Sequence, residues 1–294
     1  MTPTATDGAS RLRSVPCVGV GSFTRAGQVV HGRRRLGELV ARRPEGITGH
    51  QWSSATREEF DHVVCAVDSG LPRLAVSIAP TAPTGSPRLR AERMRDAVCA
   101  AIGLPVLRIE SPTLRAVDHG RPIVAYVLDA HDYAAAVPVV GPDAEVLDPP
   151  VGFRDIVGRL PDGRRGHVND LGALARADAV AAYVSRRLAD PIVRGLHVRW
   201  GDGAAEGWSW IEVRPGRCLV ERVIVREHRF RCGVDAARFA EDLAALAVGE
   251  RLRALETDEP ALVDRSALRR QIRALRERRD ELADDFAFDH LCAD

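Results

Sequence analysis

The sequence predicts a protein of the α/β to α+β class that is built from two folded units. In the first unit, over residues 31–136, short apolar runs typical of strands alternate with helical patterns. A segment with four prolines and two glycines, residues 137–152, follows as a predicted linker. The second unit, residues 153–294, is predicted to be smaller and α+β, with an antiparallel meander of strands and a helical C-terminus.

The amino-acid composition limits which classes of function are possible. Of the 294 residues, 45% are hydrophobic, which is enough for a substantial core, and the formal net charge is only +1. That balance excludes a uniformly basic surface but leaves room for local basic patches. All 42 basic residues are arginine and none is lysine, so no lysine can act as a general base or Schiff-base nucleophile.

The cysteines and the apolar runs bear on metal binding and location. None of the six cysteines forms a C-x-x-C pair, and their spacing predicts no zinc site. The N-terminus lacks the apolar run of a signal peptide, and no stretch of about 18 apolar residues is long enough for a bilayer. We therefore expect a soluble cytoplasmic protein with reduced thiols and no membrane association.

The elements of the first unit follow from local signals. Residues 1–30 are rich in small residues, which predicts a loose N-terminal arm. In "HGRRRLGELVARRPEG", Leu36, Leu39 and Val40 form the apolar stripe of a short helix. The segment "EFDHVVCAVDSGLPRLAVSIAP" predicts two apolar strands joined by a turn at residues 68–70.

After a Pro/Gly loop, "RLRAERMRDAVCAAIG" predicts a helix that ends at Gly103, and "LPVLRIES" predicts a strand. The run "RPIVAYVLDA" predicts a further helix. In the second unit, "LHVRW", "GWSWIEVR" and "RCLVERVIVREH" predict the meander. The last helix has an apolar stripe of Leu268, Ile272, Leu275 and Leu282, which we expect to pack on a neighbouring domain rather than to form a coiled coil.

The first unit's order of helix, strand, strand, helix and strand resembles the restriction-endonuclease-like, or PD-(D/E)xK, superfamily. It is most similar to a bacterial branch of uncharacterised proteins within that superfamily. The matching pieces are "FDHVV", "VSIAP", "RLRAERMRDAV" and "GLPVLRI", and the resemblance covers roughly residues 34–130. It implies a restriction-endonuclease-like core with a mixed sheet.

The resemblance also implies positions for a metal site. In such nucleases, acidic residues on adjacent strands hold Mg²⁺, which activates a water for attack on a phosphate. Asp61 matches the first acid, but Ser77 and Ala79 stand where the other acidic positions fall. The basic group falls on the following helix, at Arg95 or Arg93. We therefore expect no metal site, or one at Asp61 alone, and no cofactor unless the protein is active with Mg²⁺.

The basic helix predicts a nucleic-acid contact through Arg88, Arg90, Arg93 and Arg95, because arginine binds phosphate as a bidentate donor. The alternative is a solvated helix face that Glu92 and Asp96 partly neutralise. A surviving metal site would need a displaced carboxylate, from Glu58, Glu59, Asp68 or Asp96.

Three hypotheses follow. The leading one is a catalytically degenerate nuclease-like protein that binds nucleic acid, such as DNA, or a protein partner. The second is a residually active Mg²⁺-dependent DNA endonuclease. The third is a protein-interaction scaffold that uses the C-terminal helix. A phosphate binder loses affinity steeply as salt rises, whereas an apolar scaffold does not.

Overall fold

The computed structural model describes residues 11–16, 21–116, 119–136, 157–159, 165–167, 171–255, 261–283 and 287–288. The fold is α+β, and its sheet is mixed. The chain divides into two compact units, Met1–Leu128 with Glu227–Arg231, and Asp129–Arg226 with Cys232–Asp294. The linker that we expect at 137–152 lies outside the described residues.

The first unit contains a mixed sheet. Numbered in chain order, its strands are β1 (Phe23–Arg25), β2 (Gln28–His31), β3 (Arg34–Arg35), β4 (Glu59–Phe60), β5 (His62–Ala66), β6 (Pro72–Ala79) and β7 (Val106–Glu110). The sheet runs in the order β1–β2–β5–β6–β7. Its neighbouring strands are antiparallel, except that β6 and β7 are parallel. Strands β3 and β4 form a separate antiparallel ladder.

The helices of the chain's first half follow their sequence signals to different degrees. They are α1 (Leu36–Leu39), α2 (Gly49–Ala55), α3 (Pro87–Ile102), α4 (Pro112–Ala116) and α5 (Gly120–Ala136). Helix α3 begins after Ser86, whose hydroxyl accepts a hydrogen bond from the Leu89 amide, and ends at Gly103 in a left-handed conformation (φ +73°). The predicted helices at α3 and α5 and the predicted strand at β7 are confirmed.

The predicted hairpin is confirmed as β5 and β6. Its turn needs glycine at position 70, where φ is +66°. A Cβ at this position would also lie 2.7 Å from the carbonyl oxygen of Val15, because the chain before β1 passes against the turn. The Val15 amide donates to the Gly70 carbonyl oxygen at 2.9 Å. The hairpin and the preceding segment therefore hold each other in place.

Part of the expected loose arm is strand. β1 and β2 lie within residues 23–31 and form a hairpin whose two-residue turn, Ala26 and Gly27, has positive φ at both positions. β2 then pairs with β5, and Val30 is fully buried. The apolar run "VVH" is too short to indicate a strand by itself, so pairing with β5 decides its structure.

The first predicted helix is also shorter than expected. α1 covers only Leu36–Leu39, and Val40 is extended and bridges to Leu12. Leu36, Leu39 and Val40 are nevertheless all buried, so the apolar stripe identifies core residues correctly. The sequence analysis misses α2, which begins with a capping box between Thr48 and Gln51.

The second half of the chain adds an antiparallel meander, as predicted. Its elements are β8 (Val157–Arg159), β9 (Arg165–His167), α6 (Ala173–Val184), β10 (Arg194–Arg199), β11 (Ala205–Arg214), β12 (Arg217–His228), α7 (Ala236–Ala254), β13 (Val263–Asp264), α8 (Arg265–Glu277) and β14 (Ala287–Phe288). The strands run β12–β11–β10–β14, and β13 pairs with the start of β12. β8 pairs only with β9 among the described strands.

The meander packs helices on both of its faces. Ile211 of β11 packs in a cluster with Val248 of α7, whereas Trp210, its neighbour in sequence, packs with Leu268 and Leu275 of α8. Successive residues of a strand point to opposite faces, so α7 and α8 cover opposite sides. The apolar stripe of the last helix therefore packs on strands of its own unit, and the expected packing on a neighbouring domain is wrong.

Candidate functional site

An open pocket of about 380 Å³ lies in the first unit, where β5 begins and β6 ends, beside α3 and α4. It brings together Asp61, Ser77 and Ala79, which the sequence places on neighbouring strands, with Arg88 and Arg95 of the basic helix. Its lining is strongly charged and consists of Arg57, Glu58, Glu59, Asp61, Ser77, Ile78, Ala79, Pro80, Arg88, Glu92, Arg95 and Arg115.

Asp61, directly before β5, has its carboxylate bound by two protein partners. Its Oδ2 accepts a hydrogen bond of 2.7 Å from the backbone amide of Ile78 on β6. Its Oδ1 forms an ion pair with the guanidinium of Arg115 in α4. The same Arg115 nitrogen donates to the carbonyl oxygen of Ile78 at 3.1 Å. Both oxygens of the carboxylate are therefore occupied by protein groups.

Ser77 and Ala79 offer no second carboxylate. Ser77 is only 6% exposed, and its hydroxyl oxygen lies 3.5 Å from Nη1 of Arg95. This is a long hydrogen bond. Ala79 pairs with Glu110 in the parallel ladder, and its side chain has no polar atom. Where the resemblance implies a second acid, the pocket presents a hydroxyl with a guanidinium behind it.

Arg95 is the most unusual residue of the pocket, because its charge is buried and poorly compensated. The residue is 3% exposed, and its guanidinium carbon lies 5.0 Å from the centre of the Phe60 ring. Within the described residues, Nε and Nη2 have no hydrogen-bond partner. The nearest carboxylate oxygen, Oδ1 of Asp96, is 3.8 Å from Nε. Two of the three guanidinium nitrogens thus have unused donor capacity.

The electrostatics of Arg95 agree with this geometry. Burial lowers the pKa of the Arg95 guanidinium, and the positive charge of Arg108 lowers it further, while Asp96 acts in the opposite direction. Arginine nonetheless remains protonated in proteins at physiological pH. The pocket therefore contains a fixed positive charge whose solvation is incomplete.

The carboxylates of α3 are engaged by other arginines. Glu92 accepts from Nε of Arg88 at 3.2 Å, the i,i+4 pair that the sequence predicts. Asp96 accepts two contacts from Nη2 of Arg108 in β7, at 2.7 and 2.8 Å. These pairs leave Asp96 oriented toward Arg108, so it compensates Arg95 only weakly.

The predicted arginine cluster is divided by the helix. Arg88 and Arg95 line the pocket, whereas Arg90 and Arg93 are exposed and do not belong to its lining. The four residues therefore do not form one contact surface. Arg93, the alternative position for the basic group, is outside the pocket.

The residues present do not fit a Mg²⁺ site. Magnesium needs several oxygen ligands, and both oxygens of Asp61 already bind Ile78 and Arg115. Within the described part of the chain, no group of three or more His, Cys, Asp or Glu residues is arranged to hold a metal ion. Of the displaced carboxylates considered, Glu58 and Glu59 line the pocket, but Glu59 pairs with Arg35 at 3.2 Å. Asp68 instead accepts from the amide of Ser69 in the hairpin turn.

Arg115 and Arg57, which are not predicted from the sequence, complete the four arginines of the lining. Arg115 reaches the pocket because α4 begins directly after β7, where the Ser111 hydroxyl accepts from the Leu114 amide. Ser111 followed by Pro112 is a helix-start signal, and it locates α4 in the sequence. This helix-start signal does not indicate that Arg115 of α4 forms an ion pair with Asp61.

Comparison with protein families, with curated proteins and with solved structures finds no match to the chain. No helix in the described ranges combines the length and the apolar content needed to cross a bilayer.

Proposed function

We propose that this chain is a nuclease-like protein that has lost its metal site and binds a phosphate group of a nucleic acid in the pocket of its first unit. The observation that supports the proposal is Arg95, a buried guanidinium with two nitrogens that lack hydrogen-bond partners in the described chain, beside the hydroxyl of Ser77.

The arrangement of elements supports a restriction-endonuclease-like core. Asp61 directly precedes β5, Ser77 and Ala79 lie on the adjacent β6, and the basic helix α3 leads into β7, which is parallel to β6. This is the order that the resemblance implies. In such a core, the pocket is the place where a metal and a scissile phosphate would meet.

The lining holds four arginines and four carboxylates, so the pairing of these charges, and not their sum, is what favours an anion at Arg95. Among the lining residues, Asp61, Glu92 and Glu59 are each paired with an arginine. Arg95 has donor capacity left over. Because Nε and Nη2 are buried, a phosphate oxygen would accept the hydrogen bonds that they lack only once the Arg95 side chain turns toward the pocket opening, in surroundings where charge-assisted hydrogen bonds are strong.

A polynucleotide is the phosphate source that the open shape of the pocket favours. The pocket is accessible from solvent, so a backbone phosphate can enter while its neighbours stay outside. Arg88, at the exposed start of α3, lies where it can contact an adjacent phosphate. The residually active nuclease remains the second candidate, because Glu58 lines the same pocket and has no side-chain partner within the described residues.

The test compares DNA binding by the wild type and by Arg95→Met, measured by fluorescence anisotropy with labelled single-stranded and duplex oligonucleotides in EDTA. Hydrogen bonds to charged groups contribute about 1.5–3 kcal/mol, so Arg95→Met should weaken binding about 10- to 100-fold. Arg73→Met is the matched control, because Arg73 is exposed on β6 and lies outside the pocket lining.

Two results would overturn the proposal. One is equal binding by the wild type and Arg95→Met. The other is plasmid nicking that requires Mg²⁺ and disappears in Asp61→Ala and Glu58→Gln, which would establish the nuclease instead.

A further inference from the structure

Helix α8 of the second unit separates its side chains into an apolar side and a basic side. Leu268 and Leu275 are buried against the meander, in a cluster that includes Trp208 and Trp210. Ile272 packs partly against the same cluster. The two leucines of the apolar side therefore pack on the protein's own strands, and most of the exposed positions are charged.

Arginine is the commonest residue type among the exposed positions of α8. The helix, "RSALRRQIRALRE", contains five arginines and one carboxylate, Glu277. Arg269, Arg270 and Arg273 are exposed, and within the described residues their side chains have no ion pair or hydrogen bond. Arg265 forms an ion pair with Glu212, at 3.6 Å from its Nη1.

The spacing of these arginines places them along one line. Arg265, Arg269, Arg273 and Arg276 are separated by four, four and three residues, so they occupy one side of the helix. With a rise of about 1.5 Å per residue, the line is about 16 Å long. Like charges at i,i+4 destabilise a helix, so this arrangement disfavours the free protein and favours a polyanion as its partner.

We infer that the α8 arginine stripe, defined as the line of Arg265, Arg269, Arg273 and Arg276 together with Arg270 beside it, is a second nucleic-acid contact that binds backbone phosphates without reading base sequence. The inference takes its ligand class from the proposed function, but its surface is independent of the pocket. An anionic membrane fits the stripe less well, because the apolar side chains of α8 are buried and none is left for insertion between lipids.

The test is the salt dependence of binding to a labelled 20-base-pair duplex of arbitrary sequence. Each phosphate contact contributes about 0.9 to the slope of log K against log salt. The triple variant Arg269→Gln/Arg270→Gln/Arg273→Gln should therefore lower that slope by about 2 to 3 and weaken binding equally for different sequences. Glutamine retains good helix propensity, and circular dichroism checks the fold.

The matched control is Arg42→Gln/Arg43→Gln/Arg238→Gln, which removes the same charge from exposed positions outside α8. It should change the slope by less than about 1. If the α8 triple variant leaves the slope unchanged, or lowers it only as much as the control variant does, the inference about α8 is overturned while the proposed function stands. Binding to phosphatidylserine vesicles that depends on the stripe, without binding to the duplex, would replace nucleic acid by a membrane. Failure of Arg95→Met to weaken binding, with a normal effect of the α8 variant, would overturn only the proposed function.

Discussion

Replacing Arg95 by methionine is expected to stabilise the protein while it weakens nucleic-acid binding. Methionine keeps an unbranched side chain and removes a buried charge with two unsatisfied nitrogens. Each buried unsatisfied donor costs about 1–3 kcal/mol, so the relief amounts to about 2–6 kcal/mol.

The interactions lost by the same change are smaller. The cation–π contact with Phe60 contributes at most about 2 kcal/mol, and the 3.5 Å hydrogen bond to Ser77 contributes less than about 1 kcal/mol. Asp96 keeps Arg108 as its partner. Taken from the middle of the relief range, these losses leave an expected rise of about 1–3 kcal/mol in the free energy of unfolding.

Urea denaturation, followed by circular dichroism and fitted with a common m-value, measures this change. Arg73→Met, an exposed change on β6, should alter the free energy of unfolding by less than about 0.5 kcal/mol. A loss of stability of more than about 1 kcal/mol in Arg95→Met would contradict this expectation. It would mean that Arg95 is a structural support rather than a residue kept for a ligand.

Three further predictions concern the fold. Burial lowers the pKa of His31 from 6.5, so the unfolded state binds more protons than the folded state and the free energy of unfolding should fall as pH drops below 6.5. When unfolding is compared at pH 7.5 and pH 5, this loss of stability should be smaller in His31→Leu. Burial raises the pKa of the Cys99 thiol to about 12, so iodoacetamide should label Cys99 only after denaturation, as mass spectrometry of the digested protein can show. A Cβ at Gly207 would lie 2.1 Å from backbone atoms of α7, so Gly207→Ala should lower the free energy of unfolding by about 3 kcal/mol in a denaturant titration. A Cβ at Gly32 would have no atom within 4 Å, so Gly32→Ala should leave the free energy of unfolding nearly unchanged.

The parts of the fold that the sequence predicts are those with strong local signals. Helix α3 has a serine cap, a proline at its start and a glycine at its end, and the β5–β6 hairpin has a polar turn ending in Gly70. The β1–β2 hairpin has only short apolar runs, and it forms because β5 supplies a partner. The capping box of Thr48 and Gln51 was present in the sequence, but too few apolar residues follow it to indicate α2.

For the pocket, the sequence predicts which strand positions meet and not how their charges are compensated. Asp61 and Ser77 come together because antiparallel pairing aligns the start of β5 with the end of β6. The pairing of Asp61 with Arg115 joins residues from separate elements, and no periodicity indicates it. The burial of Arg95 depends on Phe60 and on the competition of Arg108 for Asp96, both of which are tertiary effects.

We propose that the pocket binds phosphate through Arg95 without a metal. Calorimetric titration with a short 5′-phosphorylated single strand in EDTA, repeated with Mg²⁺, tests it most directly. We expect binding in EDTA that Mg²⁺ does not strengthen, that Arg73→Met retains, and that Arg95→Met weakens at least about tenfold. Binding that appears only with Mg²⁺, or that Arg95→Met leaves intact, would contradict the account.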